Sequence, residues 1–164
     1  MRTRAWIISA LAAVSMLGAS AHAQPLQSPD YGAPISIDQA KEIAAAAQAE
    51  ARRNGWRMAV AVVDPGGYLV YFERADGTQN ASAQLALAKA RTSALFRRPS
   101  KVFADQFAAG NTGFMSFPDD ARPIASEGGM PIIVNGRLIG AIGTSGGTGQ
   151  QDGLASTAGI NAMR

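Results

Sequence analysis

Met130-Pro131-Ile132-Ile133-Val134-Asn135-Gly136-Arg137-Leu138-Ile139-Gly140-Ala141-Ile142-Gly143-Thr144 decides the fold. Met130 to Val134 and Arg137 to Thr144 are apolar, strand-forming runs. Asn135-Gly136 between them is the strongest short hairpin signal, because both central residues of such a turn need left-handed backbone. A second hairpin lies upstream. Arg57 to Val63 and Tyr68 to Arg74 are rich in β-branched and aromatic residues. Asp64-Pro65-Gly66-Gly67 joins them with strong turn chemistry, and Asp76-Gly77 closes the pair. Hairpins rather than long crossovers imply a mainly antiparallel sheet.

Helical patterns flank these strands. Ser36 and Gln39 form a capping box. Ala40, Ile43, Ala44, Ala47 and Ala51 then follow at helical spacing, and Gly55 is a stop. Asn80 to Phe96 reads as a second helix, with Leu85, Ala88, Thr92 and Leu95 or Phe96 on one face. Arg97-Arg98-Pro99 breaks it, and Ser100 is placed to cap a short third helix through Phe107. Gly110 to Pro123 reads as a long loop carrying Phe114, Met115 and Phe117, and loops of that length are usually functional or mobile. Ile124 to Ser126 is expected to add a short strand. The bend Ser145 to Gly149 leads into a closing helix, Gln150 to Met163. The expected class is α+β, with helices packed on the sheet.

The N-terminus has the marks of a secretory signal. Arg2 and Arg4 precede an uncharged, mostly apolar run from Trp6 to Leu17, shorter than the roughly 20 residues a bilayer span requires. Ala21-His22-Ala23 fits a cleavage site. The expected organisation is a cleaved signal over 1–23, an extended flexible leader over 24–34 and one domain over 35–164. That places the protein in the periplasm or outside the cell, off the membrane once cleaved. The chain has 15 basic and 12 acidic residues; without Arg2 and Arg4 the balance is 13 to 12, or +1. A near-neutral domain lacks the basic footprint of a nucleic-acid binder. The only histidine, His22, leaves with the signal, and there is no cysteine. Disulfides, His/Cys zinc sites and iron–sulfur clusters are thereby excluded, as is the histidine base of most serine hydrolases.

Three blocks carry a resemblance to a known family. The first is Val63-Asp64-Pro65-Gly66-Gly67-Tyr68-Leu69-Val70, with Arg74-Ala75-Asp76-Gly77 after it. The second is Ala86-Leu87-Ala88-Lys89-Ala90-Arg91-Thr92-Ser93-Ala94, followed by Arg98-Pro99-Ser100. The third is Gly128-Gly129-Met130-Pro131-Ile132, Asn135-Gly136, Gly140-Ala141-Ile142-Gly143-Thr144-Ser145-Gly146-Gly147 and Gln151-Asp152. Together they resemble the GlcG/HbpS-like family, also seen as the C-terminal domain of some PduO-type proteins, over nearly all of Ile35 to Met163. The resemblance implies a profilin-like fold, a five-stranded mainly antiparallel sheet flanked by helices. It also implies a homo-oligomer. Family members include secreted haem-binding proteins, proteins of catabolic gene clusters and a few enzymes acting on small unsaturated acids. Haem is thus the implied cofactor. With His and Cys absent, the axial candidates are Tyr68, Tyr71 and Met115, with Met58, Met130 and Lys89 behind them. The Thr92 hydroxyl is a further group to stand near an iron.

Lys89 follows Leu85 and Ala88 at a spacing that puts it near the buried face. A lysine there needs an anion, either Asp76, Glu127 or a bound ligand. Arg74 is the second anion-binding candidate; Arg91, Arg97 and Arg98 complete a basic cluster at the helix end. Gly143-Thr144-Ser145-Gly146-Gly147 matches a nucleophile-elbow pattern, but no histidine base accompanies Ser145. Its amides, Ser145, Gly146 and Gly147 foremost, suit a carboxylate ahead of a helix. Asp119, Asp120 and Glu127 read as an ordinary polar loop rather than a metal site. Phe114, Met115 and Phe117 suit core packing, a ligand cleft or a subunit contact. No catalytic or metal-ligating residue is assigned. The leading reading is an oligomeric carrier of a small anionic ligand. The alternatives are an enzyme on an unsaturated or oxo acid, with Lys89 or a carboxylate as acid or base, and a partner-binding accessory protein.

Overall fold

The computed structural model describes residues 28–163; the expected signal and the first part of the leader lie outside them. Five strands form one sheet: β1 (Asp30–Tyr31), β2 (Ala59–Val63), β3 (Leu69–Arg74), β4 (Gly129–Val134) and β5 (Arg137–Ser145). The helices are α1 (Ile37–Arg53), α2 (Ser82–Phe96), α3 (Lys101–Ala108) and α4 (Gly149–Asn161). β5 is the hub. β4 runs antiparallel along one edge, from Gly129 opposite Gly143 to Val134 opposite Arg137. β2 takes the other edge, from Ala59 opposite Ser145 to Val63 opposite Ala141, and β3 lies beyond β2. The β4–β5 turn is the expected one: Asn135 and Gly136 have φ of 50° and 74°.

β2 is buried along its whole length because helices cover both of its faces. Val60 and Val62 meet Ile43, Ala44 and Ala47 of α1. Ala59, Ala61 and Val63 meet Ala86, Ala90 and Ala94 of α2. α4 packs beside α1, so the layers are α1 and α4, the sheet, then α2. Small residues seat α2 directly on the strands. A methyl group on Gly143 would overlap the Ala86 carbonyl oxygen, and one on Gly129 would overlap that of Lys89. This α+β architecture, mainly antiparallel and helix-flanked, is the one the resemblance implies.

Four local expectations need correction. In the described part of the leader, Asp30 and Tyr31 form β1, parallel to β5 at Arg137 and Leu138, and Gly32 N–H donates to Leu138 O at 2.7 Å. Ile124 to Ser126 forms no strand. Its polar groups are met by helix side chains instead, with Ile124 N–H on Thr92 Oγ1 (3.0 Å) and Ser126 O on Ser100 Oγ (2.6 Å). Ser100 accordingly does not cap α3 through its side chain, because that hydroxyl is engaged by Ser126 and by Gly129 N–H at 2.9 Å. Finally, α2 begins at Ser82, after a turn at Asn80 and Ala81. The capping box on α1 is present in both directions.

Candidate functional site

Two centres gather the chemistry-bearing residues. The first is buried between α2, β5 and α4. Lys89 points inward from α2 and is 2% exposed. Its Nζ donates to Asp152 Oδ2 at 2.6 Å and to Thr144 O at 3.2 Å. The other carboxylate oxygen, Asp152 Oδ1, accepts Gly147 N–H at 3.0 Å. Thr144 Oγ1 donates to Asp152 O and lies 3.0 Å from Ser156 Oγ, which donates to Gly128 O at 2.7 Å. Burial pushes the Asp152 carboxyl above its ordinary range, opposed by Lys89 and by the amides of Gly147 and Gly146. The anion for Lys89 is therefore Asp152, neither Asp76 nor Glu127. The bend Ser145 to Gly149 does hold a carboxylate, but the carboxylate is the protein's own. Ser145 is closed in as well, with its Oγ 3.4 Å from Ser82 Oγ.

The second centre is open. At the end of α2, Arg97 takes a left-handed conformation, φ 53°, and turns the chain into α3. Left-handed backbone is costly for a residue with a side chain. Arg97 is held there from both ends: its guanidinium lies 5.2 Å from the Tyr31 ring and donates to Pro29 O at 3.2 Å. The elbow carries Phe96 on one side and Arg98 on the other. Above it the long loop folds back through a 3-10 turn, Gly113–Ser116. Phe103 meets Phe96 edge-on at 4.8 Å and Phe114 at 5.6 Å. Phe117 stacks over Phe96 at 6.4 Å, with the planes 15° apart. Phe96, Phe103, Phe114 and Phe117, with Arg98, line a cleft of about 620 Å³. A smaller hollow of about 250 Å³ opens on the other side of Phe96, beside Thr92, Arg91 and Arg122.

The family model for haem degrading protein HbpS-like matches residues 35–161. The chain belongs to the HbpS-like family. Among HbpS-like relatives, protein GlcG of Escherichia coli strain K12 is 40% identical over 111 residues, 68% of this chain and 81% of GlcG. A double mutant of Streptomyces reticuli HbpS superposes with a TM-score of 0.73 at 26% identity, covering 95% of this chain and 99% of that one. The haem complex of PduOC superposes at 0.72 and 25% identity, covering 79% and 94%.

In this HbpS-like chain the remaining candidates are scattered. Arg74 is exposed at the end of β3 and donates to Asn80 Oδ1 at 3.3 Å, joining neither centre. Tyr68 sits at the β2–β3 hairpin and is 75% exposed. Tyr71 packs against the α1 core, and its hydroxyl donates to Glu73 at 3.3 Å. Burial and the Glu73 charge both raise its pKa. Met58 is fully buried. Met115 rides the 3-10 turn beside Phe114 and is 45% exposed. Of the three leading axial candidates, it alone is carried on the cleft's own loop, but it does not line the cleft. Asp152 and the four-phenylalanine cluster escaped sequence reasoning. The signal for Asp152 was present in Thr148-Gly149-Gln150-Gln151, a capping box that starts α4 and faces Asp152 toward the bend.

Proposed function

We propose that this protein is an exported, oligomeric binding protein for a flat, apolar, anionic ligand, with haem the leading candidate, seated in the phenylalanine cleft. One observation carries the reading. Phe117 stacks on Phe96 yet remains 40% exposed, so an aromatic surface stands open beside a guanidinium that forms no ion pair among the described residues. Clefts of roughly 300–1,000 Å³ with apolar walls and a few placed polar groups are the usual form of small-molecule sites. The residues fit haem held mainly by stacking and burial. Phe96, Phe103, Phe114 and Phe117, which line the cleft, would face the ring and Arg98 would meet a propionate, while Met115 stands on the same loop outside the lining. Thr92 borders the neighbouring hollow rather than this cleft. Bound haem would supply a redox-active iron; the chain would supply an aromatic wall and a counter-charge. The basic and apolar N-terminus supports export. A homo-oligomer accounts for a separate exposed apolar group, Leu69 and Phe72 on β3 with Tyr68 beside them. The enzyme alternative gains no support from Lys89, whose ammonium is buried and paired.

A haemin titration followed in the Soret band tests the reading. Wild type is expected to saturate at one haem per chain. Phe117→Ala and Arg98→Ala are each expected to weaken binding roughly tenfold, about 1.4 kcal/mol. Tyr68→Ala is expected to bind like wild type. Wild-type affinity in Phe117→Ala would move the ligand out of the cleft.

A further inference from the structure

A different cleft, of about 490 Å³, lies on the other side of the elbow. Its walls are Pro29, Pro99, Pro131, Val102 and Ile133, and Ser28, Arg97 and Arg98 also line it. Arg98 is the one residue it shares with the phenylalanine cleft. We infer that this slot is a second binding site, for an amphipathic monocarboxylate such as a medium-chain fatty acid.

Shape and charge both point there. Three of the five apolar walls are prolines, whose φ is fixed by the ring, so little conformational freedom is lost when the slot is filled. Pro131 stands on β4, the edge of the sheet, where a missing N–H is tolerated. Ile133 leaves 45% of its surface exposed at the slot, an apolar area that a hydrocarbon chain covers with gain. Among the described residues, no acidic residue lines the slot. Neither arginine is in an ion pair among the described residues. Arg97 is fixed in place by Pro29 O and the Tyr31 ring, and Arg98 by its Nε on Phe96 O at 3.0 Å. Two anchored guanidiniums beside a largely apolar wall suit one carboxylate on one apolar tail, since guanidinium and carboxylate match in geometry and charge.

The test is a titration of the purified protein with octanoate, followed by amide NMR shifts and calorimetry, with 1-octanol as the neutral probe. Octanoate is expected to shift Val102, Pro99-flanking and Ile133 amides and to bind at least tenfold more tightly than octanol. Ile133→Asp places a like charge at the slot from a half-exposed position and is expected to lose at least tenfold in octanoate affinity. Phe117→Ala is expected to leave octanoate binding unchanged while weakening haemin, so the two readings fail separately. Equal binding of octanoate and octanol, shifts confined to other surfaces, or wild-type affinity in Ile133→Asp would overturn the inference.

Discussion

One helix, α2, serves two regions built on opposite principles. In the middle of the helix, Lys89 is buried in a polar knot where Asp152, Thr144, Ser156 and Gly147 answer one another. At its end, Phe96 belongs to an apolar cluster that two of its members, Phe114 and Phe117, reach only by a loop folding back. The polar knot is closed and the apolar cluster opens to solvent at Phe117, the reverse of the usual rule that polar groups face water. A charge inside a protein must be fully paired, and pairing it internally removes it from ligand binding. An aromatic surface left open on a cleft wall keeps its capacity to bind. Charged residues at a promising spacing are thus weaker guides to an open cleft than phenylalanines on a long loop.

The sharpest way to break this contrast is at Asp152. Asp152→Ala strands the Lys89 ammonium in the core and is expected to cost about 3–5 kcal/mol in urea unfolding. The double variant Lys89→Met with Asp152→Leu is expected to regain most of that loss. A stable Asp152→Ala protein would mean that the knot does not hold α2 and α4 together. Gly143→Ala tests the seat of α2, and the overlap with Ala86 is expected to cost about 1–3 kcal/mol, read as a lowered Tm. Thr148→Ala removes the cap of α4, just ahead of Asp152, at an expected cost of about 1 kcal/mol in the same unfolding assay. Phe117→Ala is expected to change stability least, by under about 1 kcal/mol, because its ring is already part exposed. Its effect should instead fall on haemin affinity, the opposite of Asp152→Ala, whose folded fraction should bind normally.

Local signals carried most of the fold. Asn135-Gly136 specifies its turn through backbone conformation alone, and Ser36 with Gln39 specifies a helix start through two local hydrogen bonds. Such features need no knowledge of the rest of the chain. β1 was not legible for the converse reason: two residues, Asp30 and Tyr31, have no periodicity, and their strand exists only because β5 has a free edge beyond β2. Ile124 to Ser126 looked like a strand and lost its ladder to the hydroxyls of Thr92 and Ser100. Lys89 was legible as a buried lysine in want of an anion. Its partner lies 63 residues away and could be found only by folding. The cleft was half legible. Phe114, Met115 and Phe117 stood out on a loop, but their meeting with Phe96 and Phe103 depends on the left-handed elbow at Arg97, which no glycine announces.

A crystal structure of the protein with haemin bound would show where the porphyrin sits. The porphyrin is expected against Phe103, Phe114 and Phe117, with a propionate on Arg98. Porphyrin density in the hollow beside Thr92, at the Tyr68 hairpin, or only between molecules in the crystal would contradict that placement.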